Sequence, residues 1–156
     1  MTNAATILAG ITPDLAPKTA IDRMTAAFFA CFNNKDGKAV DLSVLTRIML
    51  PQSIITKCTA DGQEVMNLEA FIAPRAVMLT DGTLTDFEEE ELWEQTELFG
   101  SIAQRYCMYR KSGSLAGVPF EARGMKTLQF IKTSEGWRIS AAAWDDEREG
   151  LPIVAR

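Results

Sequence analysis

The residues that could carry chemistry here do not include imidazole, because none of the 156 residues is a histidine. That absence excludes Ser-His-Asp and Cys-His catalysis, and it excludes metal sites built on histidine. Proton transfer would fall to Asp, Glu, Lys, Tyr or Cys. Asp145 and Asp146 are adjacent carboxylates, and such pairs can separate two proton affinities and do acid–base work. The same pair is also typical of a solvated strand end.

Aromatic and amide side chains on the predicted strands could line an apolar pocket with a few polar groups. The aromatic candidates are Trp93, Tyr106, Phe130 and Trp144. The amide candidates are Gln95, Gln104 and Gln129. Each could equally be a core, interface or surface residue. Which strand face lines the pocket stays open, because a one-residue bulge exchanges the two faces.

Three cysteines, Cys31, Cys58 and Cys107, are widely spaced and form no CxxC pair. We expect reduced, mostly buried thiols in a reducing cytoplasm. Cys107 could be a nucleophile only if Arg105 or Lys57 stabilised its thiolate. No phosphate-binding glycine loop is present, so we expect no metal and no cofactor.

The bulk composition suits one globular domain with its own core. The net charge is −5, from 16 basic and 21 acidic residues, which gives no phosphate-binding field. We therefore expect no nucleic-acid partner. Apolar runs are too short to cross a membrane, and no long apolar block precedes Lys18, so we expect neither a membrane association nor a secretory signal.

The first half of the chain predicts helices. Residues 1–16 indicate an irregular arm, and Pro17 suits a helix start. Apolar residues recur at helical period up to Phe28 and Phe32, which should point into the interior. Asp41 predicts a second helix, stopped by Pro51.

Further short elements follow. Residues 53–59 and 64–66 predict a hairpin turning at Asp61-Gly62. Asn67 predicts a helical cap, and Pro74 should begin a new turn rather than lie inside a helix.

The second half predicts four strands, because the apolar period changes to two. Their predicted ranges are 87–99, 102–110, 121–132 and 137–145. Residues 111–119 indicate a flexible loop, and the acidic run 88–91 an exposed strand start. Helices followed by a meander of strands indicate an α+β fold, with the first helix covering the apolar face of the sheet.

Several segments together resemble the nuclear transport factor 2-like superfamily. Three of them are Phe71-Ile72-Ala73-Pro74-Arg75, Phe99-Gly100-Ser101-Ile102-Ala103-Gln104, and Gly136-Trp137-Arg138-Ile139 with Trp144-Asp145-Asp146-Glu147. The chain is more narrowly similar to the SnoaL-like and DUF4440-like bacterial branches. The resemblance implies a cone domain over residues 17–148, followed by a C-terminal tail, 149–156. The implied fold is cystatin-like: a curved antiparallel or mixed β-sheet wrapped around N-terminal helices.

Members of that group are usually homodimers built through the sheet, and the cone encloses a mainly apolar pocket. Some are isomerases, dehydratases, cyclases or hydrolases, while others have no known reaction. This chain departs from the catalytic members. Gln104 stands where relatives often carry histidine, and Lys57 lies near the carboxylate base of isomerases. Asp145 could belong to the Asp–Arg–Asp set of epoxide hydrolases, but no second Asp is evident.

We therefore predict a homodimer that binds, and could convert, a small, largely apolar molecule inside the cone. The alternative is a non-catalytic interaction module whose cone is filled by side chains. The predicted pocket residues are Phe28, Phe32, Lys57, Trp93, Gln104, Tyr106, Gln129, Trp144 and Asp145.

Overall fold

A computed structural model describes residues 2–9 and 15–154. The helices are α1 (Ala4–Ala9), α2 (Pro17–Ala30), α3 (Ser43–Ile48) and α4 (Leu68–Met78), with a 3-10 turn at Lys35–Gly37. The strands are β1 (Met49–Thr59), β2 (Gly62–Met66), β3 (Leu84–Phe99), β4 (Ile102–Leu115), β5 (Val118–Thr133) and β6 (Gly136–Asp146).

The six strands form one curved, unclosed sheet in the order β2-β1-β6-β5-β4-β3. Strands β3 to β6 are a meander of antiparallel neighbours, as predicted. Strand β1 joins the far side of β6 in parallel, so the sheet is mixed. The predicted α+β cone is confirmed.

Helix α2 is the main cover of the concave face. Pro17 occupies its first turn, where a missing backbone N–H costs nothing. Ile21, Met24 and Phe28 follow at helical spacing and are at most 2% exposed. The apolar stripe of α2 therefore packs against the sheet, and the predicted position of Phe28 in the interior is confirmed.

The strands have two unlike faces, and β4 shows the division. Ala103, Arg105 and Cys107 point to the concave face and are buried. Gln104 and Tyr106 alternate with them and are exposed on the convex face. Because the strand is regular here, every second residue faces the core.

Three local predictions are wrong. The predicted loop 111–119 consists of strand on both sides of a tight turn at Ala116-Gly117, because pairing with neighbouring strands stabilises a Ser- and Gly-rich stretch. Pro74 lies inside α4 rather than at a helix start. Pro51 does not stop the second helix, which ends at Ile48. Strand β1 begins at Met49, and Pro51 lies within it, in an irregular stretch between the registered pairs of Met49 and Ile54 with β6.

The chain ends also differ in part from the prediction. The irregular arm expected over 1–16 contains α1, whose Ala4 is buried, while residues 1 and 10–14 lie outside the described residues. In the predicted tail, the backbone N–H of Ile153 donates to the Glu147 carboxylate at 2.7 Å. Leu151 forms a bridge with Arg148, so this segment is tied to the end of β6.

Candidate functional site

A cavity of about 370 Å³ lies between the helices and the concave face of the sheet. Its aromatic lining is Phe28, Phe32, Phe71, Phe87, Phe120 and Trp144. Helices α2 and α4 and strands β3, β5 and β6 each supply part of that lining. The volume is near the lower end of the roughly 300–1,000 Å³ typical of small-molecule sites.

Four of the aromatic rings form a continuous edge-to-face series. The ring centroids are 5.5 Å apart for Phe28 and Phe32, 5.9 Å for Phe32 and Phe71, and 5.9 Å for Phe71 and Trp144. Edge-to-face contacts of this kind are a favoured arrangement of aromatic rings. The apolar wall of the cavity is therefore a continuous series of rings in mutual contact.

A buried ion pair forms one polar part of the lining. The Lys126 ammonium lies 2.6 Å from a Glu89 carboxylate oxygen, and their side chains are 5% and 9% exposed. The ammonium also lies 4.9 Å from the Phe28 ring centroid and 4.7 Å from that of Phe29. Aromatic faces attract a desolvated cation. Lys126 is thus held by one carboxylate and several π faces.

A second polar group involves Asp146, which also lines the cavity. Its carboxylate lies 3.0 Å from the Lys111 ammonium and accepts a hydrogen bond from the Tyr109 hydroxyl. Burial, and then the neighbouring Asp146, raises the pKa of Tyr109. The phenol is therefore a neutral donor at physiological pH. Gly124 leaves room for it, since a Cβ there would lie 2.1 Å from the Tyr109 hydroxyl oxygen.

Two further cations line the cavity. The Arg75 guanidinium stacks 4.0 Å from the Phe71 ring centroid and donates to the Phe71 carbonyl oxygen at 3.0 Å. Burial lowers the pKa of Arg75, yet arginine stays protonated. Lys57 projects inwards from β1, directly opposite Trp144 of β6 in the parallel register.

Comparisons with known proteins agree on the fold. The structure is similar to an NTF2-like superfamily protein from Salmonella enterica, with a TM-score of 0.68, 12% identity, and coverage of 84% of this chain and 91% of that one. An NTF2-like protein from Cytophaga hutchinsonii gives a TM-score of 0.68 at 10% identity, with coverage of 85% of this chain and 100% of that one. No protein-family model and no curated protein matches the sequence.

A third solved structure describes the same architecture under another name. It is an uncharacterised protein with a cystatin-like fold from Caulobacter vibrioides, with a TM-score of 0.64 and 13% identity, covering 86% of this chain and 92% of that one. The chain has the NTF2-like fold. Identities this low leave its ligand and any reaction to be argued from the site itself.

Four of the nine predicted pocket residues line the cavity described above. Phe28 reaches it from α2, Phe32 from the turn just after α2, Lys57 from β1 and Trp144 from β6. That a ligand contacts them stays a prediction.

The other five predicted residues do not line this cavity. Trp93, Gln104, Tyr106, Gln129 and Asp145 lie on the convex face. Trp93 and Tyr106 contact each other there, with ring centroids 6.3 Å apart. Strand alternation separates these residues from the cavity, because each lies one residue out of phase with inward-facing neighbours.

An irregularity in β3 explains why Trp93 lies on the convex face rather than in the cavity. Glu91 pairs with Tyr109, yet Trp93 pairs with Met108, so the register shifts by one residue between them. The shift places Glu89 and Glu91 on the concave side and Trp93 on the convex side. The acidic run predicted as an exposed strand start is therefore wrong for Glu89, which is paired with a buried lysine.

The sequence offered little sign of the most important polar residues. Lys126 and Arg75 are lone charged residues, which are usually solvated, and Glu89 belongs to the acidic run predicted to be exposed. A signal did exist for Lys126. It lies in phase with the buried Leu128 and Phe130 on β5, so regular alternation alone would place it on the core side.

Two other expectations bear on chemistry. Cys107 faces the core, and burial raises its pKa to about 12, so its thiol is protonated at neutral pH.

Within residues 2–9 and 15–154, no three His, Cys, Asp or Glu side chains are placed to hold a metal ion. None of the helices in that same part of the chain is both long and apolar enough to span a membrane.

Proposed function

We propose that this NTF2-like protein binds a small, largely apolar molecule in the cavity under α2 and α4. The observation that carries the proposal is the cavity of about 370 Å³ itself, with its wall of contacting aromatic rings. A core without functional constraint would be filled by side chains, since protein interiors pack as densely as organic crystals. The cavity therefore favours ligand binding over the alternative of a filled interaction module.

Binding without conversion is the form of this function that the polar groups support. A general base needs a carboxylate able to accept a proton from the ligand. Glu89 is held by Lys126 at 2.6 Å, and Asp146 by Lys111 at 3.0 Å and by the Tyr109 hydroxyl. Both carboxylates in the lining are thus already engaged by cations.

The proposal includes a homodimer formed through the convex face of the sheet. Trp93, Tyr106, Met108 and Met125 lie on that face, and no described helix covers it. A broad sheet face carrying such side chains is typical of a two-fold interface. A cytoplasmic location, supported by three free cysteines, is part of the same proposal.

Calorimetric titration with 2-naphthalenemethanol, a neutral two-ring probe, tests the binding. We expect saturable binding, with one probe per chain. Ala122 lines the cavity, so Ala122→Phe should weaken binding roughly tenfold or more by filling the space. Ala73→Phe is the matched control, because Ala73 is exposed on α4. Equal effects of both substitutions would refute the proposal. So would a wild-type protein that binds neither this probe nor its carboxylic acid counterpart, 2-naphthoic acid.

A further inference from the structure

The charges in the cavity lining do not cancel. Four basic residues, Lys57, Arg75, Lys111 and Lys126, line it, against the two acidic residues Glu89 and Asp146. Glu89 neutralises Lys126, and Asp146 neutralises Lys111. Two positive charges therefore remain in a mostly aromatic chamber.

Of the two basic residues of the lining without an ion pair within residues 2–9 and 15–154, Arg75 and Lys57, Arg75 gives the clearer indication of what the cavity binds. Among the described residues, no carboxylate lies within 4.0 Å of its guanidinium. Glu64 and Glu89 influence it from a distance, but Glu64 is exposed on β2 and Glu89 is paired with Lys126. A guanidinium carries five N–H donors in a planar fork, and one of them is engaged by the Phe71 carbonyl. The remaining donors belong to a half-buried side chain and have no anionic partner in the described part of the chain.

Lys57 lies close to the same point. It is the register partner of Trp144, and the Arg75 guanidinium lies 5.7 Å from the centroid of the Trp144 ring. Like Arg75, Lys57 makes no ion pair within the described part of the chain. Both basic residues therefore adjoin Trp144 in the cavity lining.

We propose that the ligand is a small aromatic carboxylic acid, with its ring against Phe71 and Trp144 and its carboxylate on Arg75 and Lys57. This inference rests on the proposed function and names the ligand class. The planar arginine fork matches a carboxylate, and such charge-assisted hydrogen bonds are strong when water is excluded.

A single negative charge fits the cavity better than a phosphate dianion. Moving a dianion out of water into a mostly aromatic chamber costs more than moving a monoanion, and Glu89 and Asp146 already occupy the other two cations of the lining. The net excess is two positive charges before the ligand enters. A monocarboxylate uses both cations and keeps its distance from the two resident carboxylates.

The test compares 2-naphthoic acid with 2-naphthalenemethanol, which has the same ring system without the charge. We expect the wild-type protein to bind the acid about tenfold to a hundredfold more tightly than the alcohol. Added NaCl should weaken binding of the acid and leave binding of the alcohol unchanged. The acid should also bind more tightly than 2-naphthyl phosphate, and the reverse order would overturn the carboxylate assignment.

The ratio of the two affinities is the readout for the variants. Arg75→Gln and Lys57→Gln should each reduce the preference for the acid, while Arg75→Lys should keep part of it. Arg47→Gln is the matched control, because Arg47 is a half-exposed arginine on α3 that does not line the cavity. An unchanged ratio in both glutamine variants would overturn the inference.

The outcomes separate this inference from the proposed function. If both naphthyl probes bind the wild-type protein equally, the cavity binds a ligand but its affinity does not depend on the charge of that ligand. Only this inference then fails. If neither probe binds, the proposed function fails with it. Thermal melts of each variant confirm folding, and the salt dependence of the wild-type protein needs no substitution.

Discussion

At the scale of single residues, the Lys126 ammonium is the most unusual group. It is buried on β5 with one carboxylate partner, and four ring centroids lie within 5.4 Å of it: those of Phe28, Phe29, Tyr109 and Trp144. Glu89 has no comparable second source of stabilisation in the described structure beyond this lysine. The two members of the pair should therefore differ in how well each tolerates the loss of the other.

We expect Lys126→Met to lower the free energy of unfolding by about 3–5 kcal/mol, because it leaves Glu89 as an uncompensated buried charge. Glu89→Gln should cost less, since the aromatic faces continue to stabilise the lysine. Denaturant melts measure both values. Lys132→Met, at an exposed lysine on the same strand, should stay within about 0.5 kcal/mol of the wild type. Equal costs for the two pair variants would contradict the role given to the rings.

Part of the site is predictable from the sequence of single residues. Residues with a strong structural signature, such as Phe28, Phe32 and Trp144, were identified because large apolar side chains in phase with their neighbours face the core. Tyr106 and Asp145 lie on the other face because each is one residue out of phase with an inward-facing neighbour, Cys107 and Trp144, and alternation alone does not say which face the helices cover. The bulge in β3 accounts for Trp93. Alternation along β5 places Lys126 on the core side, but the burial of its charge depends on partners that are distant in sequence.

At the scale of elements, α2 is joined to the sheet by polar as well as apolar contacts. The Arg105 guanidinium on β4 is 4% exposed and lies 2.7 Å from the Asp22 carboxylate of α2 and 2.6 Å from that of Glu91 on β3. This network fixes the helix over one end of the sheet. The aromatic residues of α2 close the other end, above the cavity.

Phe28→Ala should therefore destabilise the protein by about 3–5 kcal/mol, the usual cost of removing a fully buried phenylalanine. Urea unfolding followed by circular dichroism measures the change. Phe99→Ala is the matched control, because Phe99 is 83% exposed at the β3–β4 turn and its loss should be nearly neutral. A cost below about 1 kcal/mol for Phe28→Ala would mean that α2 does not pack as described.

The order and type of the long elements were predictable, because α2 and the meander strands follow clear periods of 3.6 and two. The shorter features were not. Residues 111–119 contain Ser, Gly and Pro, and local preference favours a loop. The extended hairpin exists because β4 and β5 pair along their full length and a turn at Ala116-Gly117 accepts positive φ at both positions.

At the scale of the whole molecule, the helices of residues 2–9 and 15–154 lie on one side of the sheet. We expect a homodimer of two 17.2 kDa chains, formed where the convex faces meet. Thr127 is exposed near the middle of that face, between Tyr106 and Ala143, so Thr127→Arg should shift the protein towards monomer. Sedimentation equilibrium at low micromolar concentration measures the mass.

Thr80→Arg is the control for that substitution, because Thr80 is exposed just beyond α4 and away from the sheet. It should leave the dimer intact. A wild-type protein that sediments as a monomer would contradict the predicted assembly. The cavity could still bind its ligand in that case, since all the residues described in its wall come from one chain.

The parallel pairing of β1 with β6 has a consequence for how the molecule forms. The Ser53 hydroxyl donates to the Ile139 carbonyl oxygen, a bond between residues 86 positions apart. Closing so long a loop costs chain entropy before any contact offsets it, and such contacts slow folding. Lys57 and Trp144 are neighbours in this pairing. The charged end of the cavity is therefore assembled only when the two halves of the chain meet. During synthesis, a nascent chain that has not yet emerged through β6 has α2 and most of the meander but no binding site.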